Sequence, residues 1–384
     1  MKTFPKKLQD KLETRKAENA LRTLGTQSSL IDFSSNDYLG FSKNIEIFNK
    51  AHEFLKAISN TNNGATGSRL LSGNHNLYKV IEDILVNFHN SESALVFNSG
   101  YDANIGFFSS VPQRGDLILY DEYIHASIRD GITMSNAKAY KFKHNDLKNL
   151  EEKCKTERSR AHKEATIYII TESVFSMDGD SPDLKTISNI CKKHNAFLVV
   201  DEAHAIGVFG EHGSGMIQNL KLEHAVFARI ITFGKGLGCH GAAILGSDNL
   251  KTYLVNFSRS FIYTTALPPH SLATIRAAYH ELTDIENRTT LYQNIMFFKA
   301  EIAKNNLEYV FIESHSAIQC CIISGNDQVT LVAKKLQASG FDIKAILSPT
   351  VPKGDERLRF CLHAYNSKKD ISKVLQLLAS FINI

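Results

Sequence analysis

The chain has 384 residues, of which 43% are apolar and 22% charged. That length supports two domains over a large core, and 44 Lys plus Arg against 40 Asp plus Glu leave a net charge of only +4. So small a surplus argues against a nucleic-acid partner. Six scattered cysteines without a C-x-x-C pair rule out a disulfide-stapled secreted domain and give no support to a zinc ribbon, so no metal site is expected.

The first ten residues carry no apolar signal core and no later run reaches membrane-spanning length, so a cytoplasmic protein with no membrane contact is expected. The first 25 or so residues read as a charged amphipathic helix on Leu8, Leu12 and Leu21. Leu77, Val80, Ile81, Ile84, Leu85 and Phe88 share one face of a second helix. Short apolar runs follow, each ending on a polar residue: 94–97, then 117–120 before Asp121, 166–171 before Glu172, and 196–200 before Asp201. The run 197–200 is apolar on both faces, as a buried parallel strand is.

This alternation predicts an α/β fold, a mostly parallel central sheet flanked by helices. Ligands of such sheets bind outside the carboxyl ends of the strands. Beyond Pro268-Pro269 the texture changes. A helix around 329–338 is stopped by Gly340, and another runs from Asp370 as N-cap through Ile371, Val374, Leu375, Leu378 and Phe381. The expected division is an N-terminal helix and arm over 1–45, a large domain over 46–270 and a smaller α+β domain over 271–384.

Two motifs fail in context. Gly236-Leu-Gly-Cys-His-Gly241 spells a dinucleotide fingerprint but runs into the strand-like 242–246, and no Asp or Glu lies between Asp248 and Glu281 for a ribose. Asp201-Glu-Ala-His204 spells a helicase DEAH, yet the only upstream-type phosphate loop, at Gly234-Lys235, has Arg229 and Gly236 at the positions its glycine and hydroxyl would hold.

One constellation survives. Lys235 follows an apolar strand and sits between glycines, while Asp201 ends an earlier strand and His204 comes three residues later. A lone lysine in a turn is usually a solvated charge, and a lone strand-end aspartate a cap or ion pair. Together they suit pyridoxal phosphate: an amine to hold an aldehyde, and a carboxylate to keep a pyridine nitrogen protonated. Phe97-Asn-Ser-Gly-Tyr101 leads from a strand into what reads as a helix start, where free N–H groups suit a phosphate, and Thr232 adds a hydroxyl. His125 follows another strand end and could lie on the cofactor ring.

The segments 33–40, 67–73, 172–180, 201–204, 232–238, 316–319 and 348–352 together resemble the α-oxoamine synthases, pyridoxal-phosphate enzymes of aminotransferase fold type I. The resemblance implies that Lys235 forms the Schiff base and shuttles a Cα proton. Asp201 would pair with the ring nitrogen, His204 and Ser176 would address the ring hydroxyl, and His125 would stack on the ring. Gly100, Tyr101 and Thr232 would hold the phosphate, and Thr264 and Thr265 would reach that of a neighbouring subunit in a homodimer. Arg22, His125, Thr350 and Arg359 would meet substrate. The biotin-pathway branch resembles the chain most, implying L-alanine and pimeloyl-CoA or pimeloyl-acyl-carrier protein as substrates; a sibling using glycine or serine with another acyl-CoA, or a non-catalytic regulatory homologue, stays open. The family commonly carries arginine where Leu347 stands, which shifts carboxylate recognition to Arg359, Arg22 or another residue. The segment joining the N-terminal helix to Asp32 is short for the family.

Overall fold

The computed structural model describes residues 4–24, 29–162 and 164–382. Among them are β1 (Ile31–Asp32), β2 (Ser93–Phe97), β3 (Leu117–Asp121), β4 (Lys138–Phe142), β5 (Ile167–Glu172), β6 (Ala196–Asp201), β7 (Ala228–Thr232) and β8 (Ala242–Gly246). Four more follow: β9 (Ile318–Ile322), β10 (Phe341–Asp342), β11 (Lys344–Ile346) and β12 (Arg357–Cys361).

The chain packs as two compact units. One is drawn from three stretches, up to Ser35, Met177–Asp180, and from Thr290 onward; the other is Asn36–Ser176 with Ser181–Thr289. The composition-based division at 45 and 270 thus differs from the division by packing. Helix Pro269–Glu281 lies in the larger unit, whose boundary falls inside helix Glu286–Lys304.

The larger unit is built on a seven-stranded sheet in the order β2-β8-β7-β6-β5-β3-β4. Pairs from β7 through β4 are parallel, while β8 runs against both its neighbours. Each central strand sends alternate residues to opposite cores. Val199, Ile170 and Ile118 join Phe107, Phe108 and Ile128 on one face; Leu198, Val200, Ile169 and Leu119 join Leu150, Ile187 and Ile217 on the other. Burial on both faces is why these strands read as continuous apolar runs. Phe197 departs from that reading. It is 45% exposed at the start of β6, stacked on Tyr168 and tilted against Phe227.

Three helical readings change. The first helix spans Lys6–Ala17 and buries none of its residues; Leu21 lies beyond it, past a left-handed Asn19 at φ 51. Residues 25–28 of the joining segment lie outside the described residues. Helix Leu77–His89 turns Tyr78 and Glu82 inward and leaves Val80 exposed, because Glu82 accepts from Val96 N–H and pairs with Arg69 and Lys251. The last helix spans Lys368–Ile382, and the oxygen that caps its start belongs to Ser367, which accepts from Asp370 N–H.

The smaller unit carries a three-stranded antiparallel sheet, β11-β12-β9, and a short parallel pair of β1 with β10. Helices Asn326–Ala338 and Lys368–Ile382 complete it as α+β. No helix among the described residues is long and apolar enough to cross a membrane.

Candidate active site

The carboxyl ends of β5, β6 and β7 deliver Glu172, Asp201 and Thr232 to one place. There they line a cavity of about 180 Å³ with Gly100, Tyr101, Asn104, His125, Ser127 and Lys235 among its walls.

One end of this cavity is an anion-type site. Ser99 is the N-cap of helix Gly100–Ser110, its hydroxyl accepting from Asp102 N–H at 3.0 Å. The N–H groups of Gly100 and Tyr101 open the helix and have no intrahelical acceptor. Thr232 Oγ1 stands across from them: a Cβ placed on Gly100 would lie 3.7 Å from it.

Asp201 is buried and held by two donors. Ala203 N–H donates to Oδ1 and Asn104 Nδ2 donates to Oδ2, both at 2.9 Å. Asn104 Nδ2 also donates to Ser127 Oγ at 2.9 Å, while its own Oδ1 is buried without a hydrogen bond. Asp201 and Asn104 both line the cavity.

Lys235 Nζ lies 2.7 Å from His204 Nε2, and His204 Nδ1 lies 2.6 Å from the Tyr38 hydroxyl. The lysine turn is tight. Gly238 has φ 61, and a Cβ there would come within 2.2 Å of the Ser42 backbone nitrogen. Only glycine fits.

His125 caps helix Ala126–Met134, its Nδ1 accepting from Ser127 N–H at 3.2 Å, which leaves the proton on Nε2. His125 is exposed as a residue, yet the surrounding protein desolvates its imidazole and draws its pKa down. Glu172 accepts from His125 N–H. Burial, reinforced by the Asp201 charge, pushes the Glu172 carboxyl up from 4.5 to about 8.

Of the residues the sequence singled out, Gly100, Tyr101, His125, Asp201, Thr232 and Lys235 share this cavity, with His204 bonded to Lys235. Ser176 is buried beyond β5 and is not a lining residue. Thr264 and Thr265 also lie outside the lining. Asn98 Nδ2 donates to Thr264 Oγ1 at 2.9 Å and to the Thr265 carbonyl at 2.6 Å. Arg22, Thr350 and Arg359 belong to the smaller unit. Arg22 Nη2 donates to Thr350 Oγ1 at 3.3 Å, and buried Arg359 donates to Cys361 Sγ at 2.9 Å.

The aminotransferase class I and II family model matches residues 28–378. The chain belongs to the aminotransferase class I and II family. It is 40% identical to 8-amino-7-oxononanoate synthase of Emericella nidulans, over 92% of this chain and 90% of that one. Serine palmitoyltransferase from S. paucimobilis, solved with bound PLP and myriocin, superposes with a TM-score of 0.88 at 25% identity, over 98% of this chain and 97% of the other. The 8-amino-7-oxononanoate synthase of Francisella tularensis superposes at 0.78 with 29% identity, over 93% and 99%.

For a member of this class I and II family, sequence reasoning left several supporting groups without a role. They are Asn104 and Ser127 beneath Asp201, Glu172 behind His125, and Tyr38 behind His204. Glu172 and Tyr38 stand inside motifs that were legible, but their bonds join positions far apart in the chain. Asn104 gave no signal at all: an amide on a helix is ordinary until the fold puts it against Asp201.

Proposed function

We propose that this chain is a pyridoxal-phosphate-dependent C-acyltransferase that condenses L-alanine with a pimeloyl thioester, from CoA or acyl-carrier protein, to 8-amino-7-oxononanoate in biotin biosynthesis. A carbon–carbon bond forms between the amino-acid Cα and the acyl carbon, the thiol leaves, and the amino-acid carboxylate departs as CO2. The observation that carries this reading is an amine, a buried carboxylate and a helix N-terminus lining one cavity. Relatedness at 40% identity to a named synthase supports the substrates.

The donor set fits the cofactor. Phosphate suits the helix start at Gly100 and Tyr101 with the Thr232 hydroxyl, and a protonated ring nitrogen suits the Asp201 carboxylate beside the unpaired Asn104 Oδ1. Bound there, pyridoxal phosphate supplies an aldehyde for the amino group and an electron-accepting ring. The chain's own residues supply the rest. Asn104 and Ala203 N–H orient the Asp201 carboxyl group. Lys235 Nζ takes and returns the proton at Cα, helped by a half-buried position beside His204. His125, kept neutral, offers a flat face and an Nε2–H, while His204 and Ser176 serve the ring hydroxyl. Arg22, Thr350 and Arg359 recognise substrate, with Arg359 gripping a carboxylate. In a homodimer, Thr264 and Thr265 extend towards the neighbouring subunit's phosphate.

A sibling reaction, serine or glycine with another acyl-CoA, is favoured by one observation: the palmitoyltransferase superposes at 0.88 against 0.78 for the Francisella synthase. Product mass from paired substrates separates them. Alanine with a pimeloyl thioester is expected to outpace glycine or serine with acetyl-, succinyl- or palmitoyl-CoA; the reverse order would sink the alanine assignment. The purified wild type is expected to be yellow and Lys235→Ala not, and a wild type that stays colourless with added cofactor overturns the enzyme reading.

A further inference from the structure

Asp201 and His125 stand on different elements of the larger unit, and one side chain joins them. Asn104, on helix Gly100–Ser110, is buried, as are Ser127 and Asp201. Its Nδ2 donates to Asp201 Oδ2 and to Ser127 Oγ, both at 2.9 Å. Those two bonds use both hydrogens of the amide nitrogen. Ser127 Oγ in turn lies 2.7 Å from His125 Nδ1. A hydrogen-bonded path therefore runs from the end of β6, through helix Gly100–Ser110 and the first turn of helix Ala126–Met134, to the imidazole. The other half of the amide serves no such purpose. Asn104 Oδ1 is buried and makes no hydrogen bond among the described residues. A buried carbonyl without a partner costs stability, and leucine would fill a similar volume without that cost. Packing of the helix thus gives no reason for an amide at this position, whereas the path to Asp201 and Ser127 does.

We propose that Asn104, acting through Ser127, is a positioning residue that holds Asp201 and His125 in one fixed relation. The proposal rests on the reading of these two as the groups that meet the cofactor's ring. Helix Gly100–Ser110 also opens at the residues that suit the phosphate, so the helix that carries Asn104 sets that end of the site against the other two.

The first readout needs no cofactor. In histidine 15N NMR of the cofactor-free protein, the His125 signals are identified by their loss in His125→Gln. Asn104→Leu is expected to shift them, while those of His89, bonded to Tyr279 in the same unit, stay in place. In a Ser127→Ala protein, which has lost the connecting hydroxyl, adding Asn104→Leu should shift the His125 signals no further. The second readout is cofactor affinity by absorbance titration, which Asn104→Leu is expected to weaken roughly fivefold or more, the worth of a hydrogen bond. Asn104→Ala carries both readouts if Asn104→Leu does not fold. His125 signals that do not move, or that move equally with and without the Ser127 hydroxyl, would overturn the proposal. A His89 shift of equal size would mark a general loosening and overturn it too, as would unchanged cofactor affinity. A wild type that takes up no pyridoxal phosphate sinks the cofactor reading alone, because the NMR readout stands without it.

Discussion

At the residue scale, the site sets two carboxyl groups, Glu172 and Asp201, side by side on adjacent strands in different surroundings. Asp201 accepts from Ala203 N–H and Asn104, whereas Glu172 accepts from His125 N–H and is desolvated by burial, which favours its neutral form. The second has a consequence for stability. Between 4.5 and about 8 the unfolded chain ionises Glu172 while the cofactor-free folded chain keeps it protonated. The folded state then binds more protons, so this group's contribution weakens as pH rises through that window, at ~1.4 kcal/mol per pH unit, and levels off above it. Glu172→Gln keeps an oxygen for His125 N–H and cannot ionise. Urea denaturation of the cofactor-free proteins should show the wild type losing stability relative to the variant from pH 5 to pH 8; parallel curves would refute the shift. The candidate residues themselves were legible, because amine, carboxylate and histidine at strand ends are chemically conspicuous. Their supports were not, since Asn104 and Tyr38 acquire meaning only through partners 97 and 166 positions away.

At the element scale, two glycines divide folding from binding. Gly238 turns the chain after Lys235 at φ 61 and nearly touches the Ser42 backbone. Gly238→Ala is expected to cost ~2 kcal/mol or more by strain and clash together, lowering the denaturation midpoint with or without cofactor. Gly100 is different. It opens a helix in ordinary conformation, and an added Cβ meets only Thr232, at 3.7 Å. Gly100→Ala should fold with nearly wild-type stability yet bind pyridoxal phosphate more weakly, because its methyl enters the space beside the Thr232 hydroxyl; a titration of absorbance against cofactor measures it. The strands from β2 to β8 other than β4 were readable as apolar runs. β4 was missed because it is an edge strand with Lys138 and Lys141 exposed, a pattern that guards an edge but hides the strand. The faces of helix Leu77–His89 were misread because Glu82 is drawn inward by two cations.

At the scale of the whole molecule, a bound cofactor should stabilise the larger unit by mass action. One site at 100 times Kd contributes ~2.7 kcal/mol. Calorimetry is expected to show Tm rising with added pyridoxal phosphate in the wild type and rising less in Lys235→Ala, which keeps the cavity and loses the amine. An equal rise in both would remove Lys235 from cofactor binding. The sequence by itself determined the α/β class, the near-neutral surface, the absence of a disulfide framework and the strand-end residues, because these follow from composition and from periodicities of two and 3.6 residues. Only the tertiary structure decided which of them meet. It brought Glu172, Asp201, Thr232 and Lys235 to one cavity, kept Thr264 and Thr265 off its walls, and set Asn104 and Tyr38 behind the charges. Hydrogen bonds across many tens of residues leave no local period, so packing alone could specify them.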